Sequence, residues 1–307
     1  MGRYAARRLL QLVPVLFGAT FLIYAMVFAL PGDPIRALFG DRPIPESTVV
    51  VLRERYHLND PLIVQYGKYI GGVLHGDLGE DFRGRQVVRI VAERFPVTLR
   101  LAGFAFLFET VLGLIAGVAA GLRRGSFLDN LVLVSTTAIV SVPVFVLGYT
   151  TQLLLGVQLR WLPVAGIRDG WLSYVMPGMV LGALSLAYVA RLVRTSLVEN
   201  LRAGYVRTAT AKGLTRRRVV TRHALRNSLV PVVTFLGTDL GTLMAGAIIT
   251  EGVFNIPGIG RAIFDAVNQQ ENAVVVGIVT LLVIVFIVSN LLVDLLYAAL
   301  DPRIRYE

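Results

Sequence analysis

Six runs of apolar residues, each long enough to cross a lipid bilayer as a helix, restrict what this chain can fold into more than any other feature. They cover about residues 9–30, 97–122, 130–156, 173–192, 229–250 and 273–299. A helical span needs roughly 20 mostly apolar residues. The bilayer core offers no water to backbone groups, so spans there are helices or closed barrels. We therefore predict an all-α integral membrane protein with six transmembrane helices.

Composition supports a membrane protein and narrows the chemistry. Of 307 residues, 55% are apolar and 16% are charged, against roughly 25% charged in soluble domains. The absence of cysteine excludes disulfides, thiolate metal sites and a cysteine nucleophile. The three histidines, His57, His75 and His223, are too scattered to predict a metal site. The first apolar run exceeds the roughly 7–15 residues of a cleaved signal, so we interpret residues 1–30 as a retained N-terminal span.

Basic residues cluster on one side of the predicted spans. Residues 191–226 hold ten lysines and arginines against one acid, Glu199, and further arginines lie before the first span, in the 121–129 turn and in the 300–307 tail. Cytoplasmic loops carry an excess of Lys and Arg. We predict that both termini and the 193–228 loop are cytoplasmic. The 31–96 segment, with a helical pattern at its centre, is then extracytoplasmic.

The 193–228 loop has a pattern that its charge alone does not explain. The stretch AGYVRTATAKG predicts a short helix that ends at Gly213, since glycine commonly follows a helix end. Arg218, Arg222 and Arg226 recur every four residues, so they form one row on a second helix that runs into the fifth span. Such a loop is suited to docking a partner. The alternative is that its charge only fixes topology and contacts anionic lipid headgroups.

Several motifs in sequence order resemble those of one transporter family. They are RTATAKGL (207–214), HALRN (223–227), LPGDP (30–34), ERFPVTLRLA (93–102), SVPVFVLG (141–148), EGVFNIPGIGRAIFDAV (251–267) and DPRIR (301–305). On the basis of these motifs, the chain is similar to the first (B-type) permease subunit of dipeptide/oligopeptide ABC importers. The resemblance implies a type I ABC importer permease fold, with residues 97–299 as the transmembrane domain. The chain departs from the family pattern at Glu80, Asp81 and Asp239.

The resemblance also implies a mechanism and partners. The 203–214 helix would couple to ATPase subunits through Tyr205, Arg207, Thr208, Ala209, Lys212, Gly213 and Leu214. The implied partners are a second homologous permease, two ABC ATPase subunits and an extracytoplasmic peptide-binding protein, in a bacterial cytoplasmic membrane. This sequence has no G-x-x-x-x-G-K-[ST] phosphate loop, so no ATP or Mg²⁺ is expected in this chain; the ATPase subunits would bind both.

Other residues in or near the spans admit two interpretations. Asp239 and Glu109 lie within apolar runs, where charged groups usually face a cavity or a partner; they are candidates for the translocation path or for a buried pair. Asn255, Pro257 and Gly258 lie in a Gly/Pro-rich segment that the resemblance suggests as an outer gate. Glycines at 113, 117 and 121 recur every four residues, which predicts close helix packing.

Alternative functions are limited by the same residues. The cargo of such a transporter could instead be a nickel complex, haem or glutathione. A membrane-embedded hydrolase would need a nucleophile with a base, or a metal cluster, at depth; the spans hold no histidine or cysteine and the chain has no H-E-x-x-H motif. The six spans also argue against a nucleic-acid-binding protein, despite the net charge of +10.

Overall fold

The structure, a computed structural model, describes residues 2–28, 35, 45–55, 58–81 and 83–300. The predicted tail lies almost wholly outside these residues. The described part of the chain is helical, and its only strand-like pairing is a single antiparallel bridge between Glu80 and Gln86. The all-α prediction is therefore confirmed. The chain divides into two compact units, residues 1–98 with 257–307, and residues 99–256.

Twelve helices are named here in chain order. They are α1 (Gly2–Phe28), α2 (Glu46–Arg55), α3 (Leu62–Leu74), α4 (Val87–Leu122), α5 (Phe127–Ser141), α6 (Val144–Thr151, continued by a π-helical turn Gln152–Gln158), α7 (Leu172–Arg202), α8 (Gly204–Ala211), α9 (Arg216–Arg218, π-helical Val219–Leu225 and Arg226–Ser228), α10 (Val230–Val253), α11 (Ile259–Asn268) and α12 (Asn272–Leu300).

Five of these helices are long and apolar enough to cross a membrane, and α5 with α6 makes a sixth if the pair counts as one span. The predicted count of six is consistent with this. The pair is bent by 105°, which the continuous apolar run 130–156 did not predict. The break falls at Pro143, whose ψ of 142° is extended; proline lacks the N–H that would continue the helix.

In the unit formed by residues 1–98 and 257–307, α1 packs along α12 and against α3. Tyr24 is the centre of an aromatic cluster, with ring centroids 5.8 Å from Tyr66 and 5.3 Å from Tyr69. The Tyr69 hydroxyl donates to Oγ1 of Thr280 at 2.8 Å, so a residue of α3 is tied to α12. The helical pattern predicted for the centre of segment 31–96 is confirmed by α2 and α3.

In the unit formed by residues 99–256, the glycine row of α4 lies against α7. An added Cβ at Gly113 would lie 2.9 Å from Val189 Cβ, and one at Gly117 would lie 2.6 Å from both Ala190 O and Val193 Cβ. At Gly121 it would lie 3.2 Å from Leu197 Cβ. The predicted packing role is confirmed, because only a residue without a Cβ lets the two helix backbones approach so closely.

An ion pair adds a second tie to α7. Arg194 of α7 donates from Nε to Asp129 Oδ1 at 2.5 Å and from Nη2 to Oδ2 at 2.8 Å. Asp129, at the start of α5, is 1% exposed and also accepts from the Gly125 backbone at 2.8 Å. A bidentate arginine–carboxylate pair fixes geometry as well as charge, and breaking a buried pair is strongly destabilising. The α4–α5 turn is thus attached to α7.

The glycine row provides a stability test. We expect Gly117→Ala to destabilise the protein by about 1–3 kcal/mol, because the added methyl group overlaps the α7 backbone. Gly103→Ala, on the same helix with nothing within 4 Å of its added Cβ, is the matched control and should leave stability unchanged or slightly raise it. Thermal unfolding of the purified protein in detergent compares the two; equal melting temperatures for both variants would contradict the packing role.

Candidate functional site on the basic loop

The short helix predicted in the basic loop is α8, and it follows α7 almost directly. Only Ala203, with an extended ψ of 150°, separates the two helices. Its backbone N–H bonds Asn200 O at 3.1 Å, and its carbonyl accepts from Val206 N at 3.1 Å. A one-residue connection leaves little slack, so a displacement of α8 is passed on to the end of α7.

The C-terminus of α8 is closed by a complete Schellman motif. Gly213 has φ +77°, a conformation that glycine adopts without steric penalty. Its N–H bonds Thr210 O at 3.0 Å, and Leu214 N bonds Ala209 O at 3.4 Å. These two bonds are the 5→2 and 6→1 pair that defines the motif. The prediction that the helix ends at Gly213 is confirmed.

One side of α8 is held inside the protein. Val206 and Ala209 are each 6% exposed and join a buried cluster with Leu197 of α7. Val219 and Ala224 of α9 complete that cluster, and Leu214 packs against it. Among the residues predicted to couple, Ala209 and Leu214 therefore anchor the helix, while Val206 is an anchor that sequence reasoning missed.

The other side of α8 is open. Tyr205, Arg207, Thr208, Lys212 and Gly213 are all exposed, and their contact with an ATPase subunit stays a prediction. The Tyr205 hydroxyl donates to Oδ1 of Asn200, which orients its ring next to the end of α7. Three of the exposed residues of α8 are small: Gly204, Thr208 and Ala211. Their small size allows another chain to approach the helix closely.

The predicted basic helix is α9, and its central turn is π-helical. Single π-helical turns occur mostly within α-helices and often at functional sites. Arg218, Arg222 and Arg226, which the four-residue spacing predicts to form one row, are all exposed. At the end of α9, Ser228 is buried and its hydroxyl contacts Ser196 O of α7 at 3.3 Å. Only Leu229 then precedes α10, so α8 lies between two candidate membrane spans.

The two acids predicted within spans come together. Glu109 of α4 is fully buried, and Asp239 of α10 is 5% exposed. The two carboxyl groups interact electrostatically, with Ser185 of α7 beside both. Neither oxygen of Glu109, nor Oδ2 of Asp239, has a hydrogen-bond partner among the described residues. Their assignment to the translocation path stays a prediction; in this structure they are enclosed by α4, α7 and α10.

The residues predicted for an outer gate fall in two units. Asn255, in residues 99–256, is exposed with φ +50°, which is uncommon outside glycine but tolerated by asparagine. In the other unit, Pro257 is exposed and Gly258 is buried, immediately before α11. The first helical N–H of α11, on Ile259, bonds Thr98 Oγ1 at 2.8 Å. The gating role is untested by this geometry and stays a prediction.

Comparison with known proteins identifies the family of the chain. The family described as "Binding-protein-dependent transport system inner membrane component" matches residues 110–306, and its N-terminal counterpart matches residues 1–102. The chain is 39% identical to the di/tripeptide transport system permease protein DppB of Pseudomonas aeruginosa, over 100% of both chains. It is 38% identical to the glutathione transport system permease protein GsiC of Escherichia coli K12, again over 100% of both.

A solved structure supports the fold. A chain from the inward-facing MetNI methionine ABC transporter superposes with a TM-score of 0.58 at 21% identity, covering 69% of this chain and 96% of that one. This likeness and the apolar helices agree with an ABC importer permease fold in a multi-pass inner-membrane protein. A transport component of this kind implies ATPase partners and a substrate-binding protein. The chain belongs to the family of inner membrane components of binding-protein-dependent transport systems, whose members are permeases and not enzymes.

Proposed function

We propose that this chain is a permease subunit of an ATP-driven importer that carries di- and oligopeptides across the cytoplasmic membrane. The full-length similarity to a di/tripeptide permease supports peptide as the cargo. The observation that carries the mechanism is the construction of α8, a short helix with one buried and one open side, joined closely to α7 and, through α9, to α10. Such a helix transmits force from a docked protein to two spans.

The mechanism follows from these connections. One of two ATPase subunits grips the open side of α8 through Tyr205, Arg207, Thr208 and Lys212, and the other engages the second permease. When the ATPases close on ATP, α8 moves, and the ends of α7 and α10 move with it. The rest of the assembly consists of a second, homologous permease that completes the path and an extracytoplasmic peptide-binding protein that delivers the cargo. Both termini and the basic loop lie on the cytoplasmic side, as the distribution of arginine supports.

Two further roles belong to this proposal. Asp239 and Glu109 are enclosed while α4, α7 and α10 stay packed, so they reach the translocation path only when α10 moves relative to the closely packed pair of α4 and α7. There a carboxylate would contact the amino group of a passing peptide. The 251–267 segment, with Asn255, Pro257 and Gly258, forms the outer gate. Its glycine and proline content, and the positive φ at Asn255, support a backbone shaped for a turn on the outer face.

Glutathione is a second candidate cargo. It is itself a small peptide, and permeases named for glutathione transport match this chain at 38–39% identity over its full length. The two cargos differ in charge: glutathione carries an additional carboxylate and an isopeptide bond. Both are compatible with the proposed coupling device, which acts on the membrane helices and not on the cargo.

Uptake by the reconstituted assembly decides the cargo. We expect proteoliposomes that contain both permeases, both ATPases and the binding protein to accumulate radiolabelled dialanine when ATP is supplied on the ATPase side. An excess of unlabelled dipeptide should abolish the signal, and glutathione should compete poorly. Accumulation of labelled glutathione without any of dialanine would replace ordinary di- and oligopeptides by glutathione as the cargo and leave the transporter assignment in place.

The open side of α8 can be tested with one bulky residue. We expect Thr208→Trp to lower uptake at least about tenfold, since a misfit costing more than 1.4 kcal/mol at the docking surface reduces binding by that factor. The ATPase subunits should co-purify less well or hydrolyse ATP without transport. Thr221→Trp is the matched control, because Thr221 is likewise exposed and likewise donates its hydroxyl to the carbonyl four residues before it, as Thr208 does. Normal uptake by the Thr208 variant would argue against docking at α8.

A further inference from the structure

A charged cavity lies in the unit formed by residues 1–98 and 257–307. Its volume is about 290 Å³, near the lower end of the roughly 300–1,000 Å³ found for small-molecule sites. Its walls are formed by residues just before α4, by the first turns of α4, and by the end of α11 with the start of α12. Three arginines and three acids line it: Arg83, Arg85, Arg94, Asp81, Asp265 and Glu271.

Two of the three acids are satisfied by the protein itself. Asp81 is 3% exposed; its Oδ1 accepts from the backbone N–H groups of Arg83 at 2.9 Å and Arg85 at 2.8 Å, and its Oδ2 from Arg85 Nε at 3.2 Å. Asp265 accepts from Arg261 Nε at 2.9 Å and lies 4.0 Å from Arg94 Nη1. These bonds shape the walls and leave Arg94 only loosely engaged.

The third acid and one arginine are left over. The Glu271 carboxylate forms no hydrogen bond or ion pair with any residue that the structure describes, and the same holds for the Arg83 guanidinium. Burial raises the pKa of Glu271, as does the nearby Asp81 carboxylate, while Arg83 and Arg85 act in the opposite direction. A partly desolvated carboxylate that accepts no hydrogen bond is unfavourable even with these arginines nearby, and a bound ammonium group would stabilise it.

The backbone that presents Glu271 is also constrained. The preceding residue, Gln270, has φ +56°, an uncommon conformation for a residue other than glycine, asparagine or aspartate. Glu271 N bonds Ala266 O at 2.8 Å, which fixes the reversal between α11 and α12. Strained backbone of this kind is often retained where a side chain must be held in place for function. It holds the unpaired carboxylate at the cavity wall.

We propose that this cavity binds a small zwitterionic peptide, with its α-ammonium on Glu271 and its α-carboxylate on Arg83 and Arg94. The proposal rests on the proposed function, since it takes the cargo class from there, and it adds a peptide site on the permease itself. Three positive and three negative side chains give a lining with no net charge. The two side chains that form no hydrogen bond or ion pair among the described residues, Glu271 and Arg83, have opposite signs, as a zwitterion requires. A volume of about 290 Å³ suits a dipeptide better than a long chain.

Calorimetry on the assembled transporter without its binding protein tests the site directly. We expect dialanine to bind the wild-type assembly, and N-acetyl-dialanine, which lacks the ammonium, to bind at least about tenfold more weakly, because a charged hydrogen bond is lost. Glu271→Gln should reduce dialanine affinity by at least the same factor and leave the acetylated peptide unaffected. Arg89→Gln, at an exposed arginine of α4 outside the cavity, is the control and should bind dialanine normally.

Each other result contradicts the site. With the wild-type assembly alone, the proposed site is overturned if dialanine does not bind, or if dialanine and N-acetyl-dialanine bind equally well. A Glu271→Gln variant with wild-type affinity, or one whose only defect is weaker docking of the binding protein, also overturns it. The proposed function is tested separately by uptake: import of dialanine by an assembly that shows no such binding would reject the cavity and retain the peptide importer.

Discussion

Close packing of α4 on α7 is the interaction on which the rest of this account depends. At Gly117 the two backbones are so near that a single methyl group would overlap the carbonyl oxygen of Ala190. In a bilayer, where lipid is as apolar as the helix surface, such van der Waals contact is a main source of helix association. The bidentate pair of Arg194 with Asp129 adds a directional tie at the same end of α7. Helix α7 is therefore held firmly against α4 and α5, and α8 follows directly at its C-terminal end.

Helix α8 combines firm attachment with an accessible surface. Val206 and Ala209 fix one side in the cluster with Leu197, and the Schellman closure at Gly213 turns the chain sharply into α9. The opposite side keeps small and polar side chains in solvent. Because α9 leads through Leu229 into α10, a force on α8 acts on two spans at once. The arginines of α9 supply positive charge close to this surface, where both a partner protein and anionic lipid headgroups can use it.

The sequence was sufficient for the parts of this arrangement that depend on local pattern. The length of the apolar runs predicted the spans, and the four-residue glycine spacing predicted a closely packed face on α4. Gly213 marked the end of α8. It was insufficient where distant residues meet. Nothing local pairs Asp129 with Arg194, which are 65 residues apart, or brings Glu109 next to Asp239. The 105° bend between α5 and α6 had a signal in Pro143, but proline is tolerated within membrane helices, so the apolar run 130–156 was interpreted as a single span.

The central claim is that the open side of α8 is gripped by an ATPase subunit. Since the chain has no cysteine, Ala211→Cys gives a single labelling site on that side, to which a photoactivatable cross-linker can be attached. Irradiation of the purified assembly should join this position to an ATPase subunit. The segment of the ATPase that is cross-linked should differ between the ATP-bound and nucleotide-free states. Cross-links confined to lipid, or to a protein on the outer face of the membrane, would contradict the account.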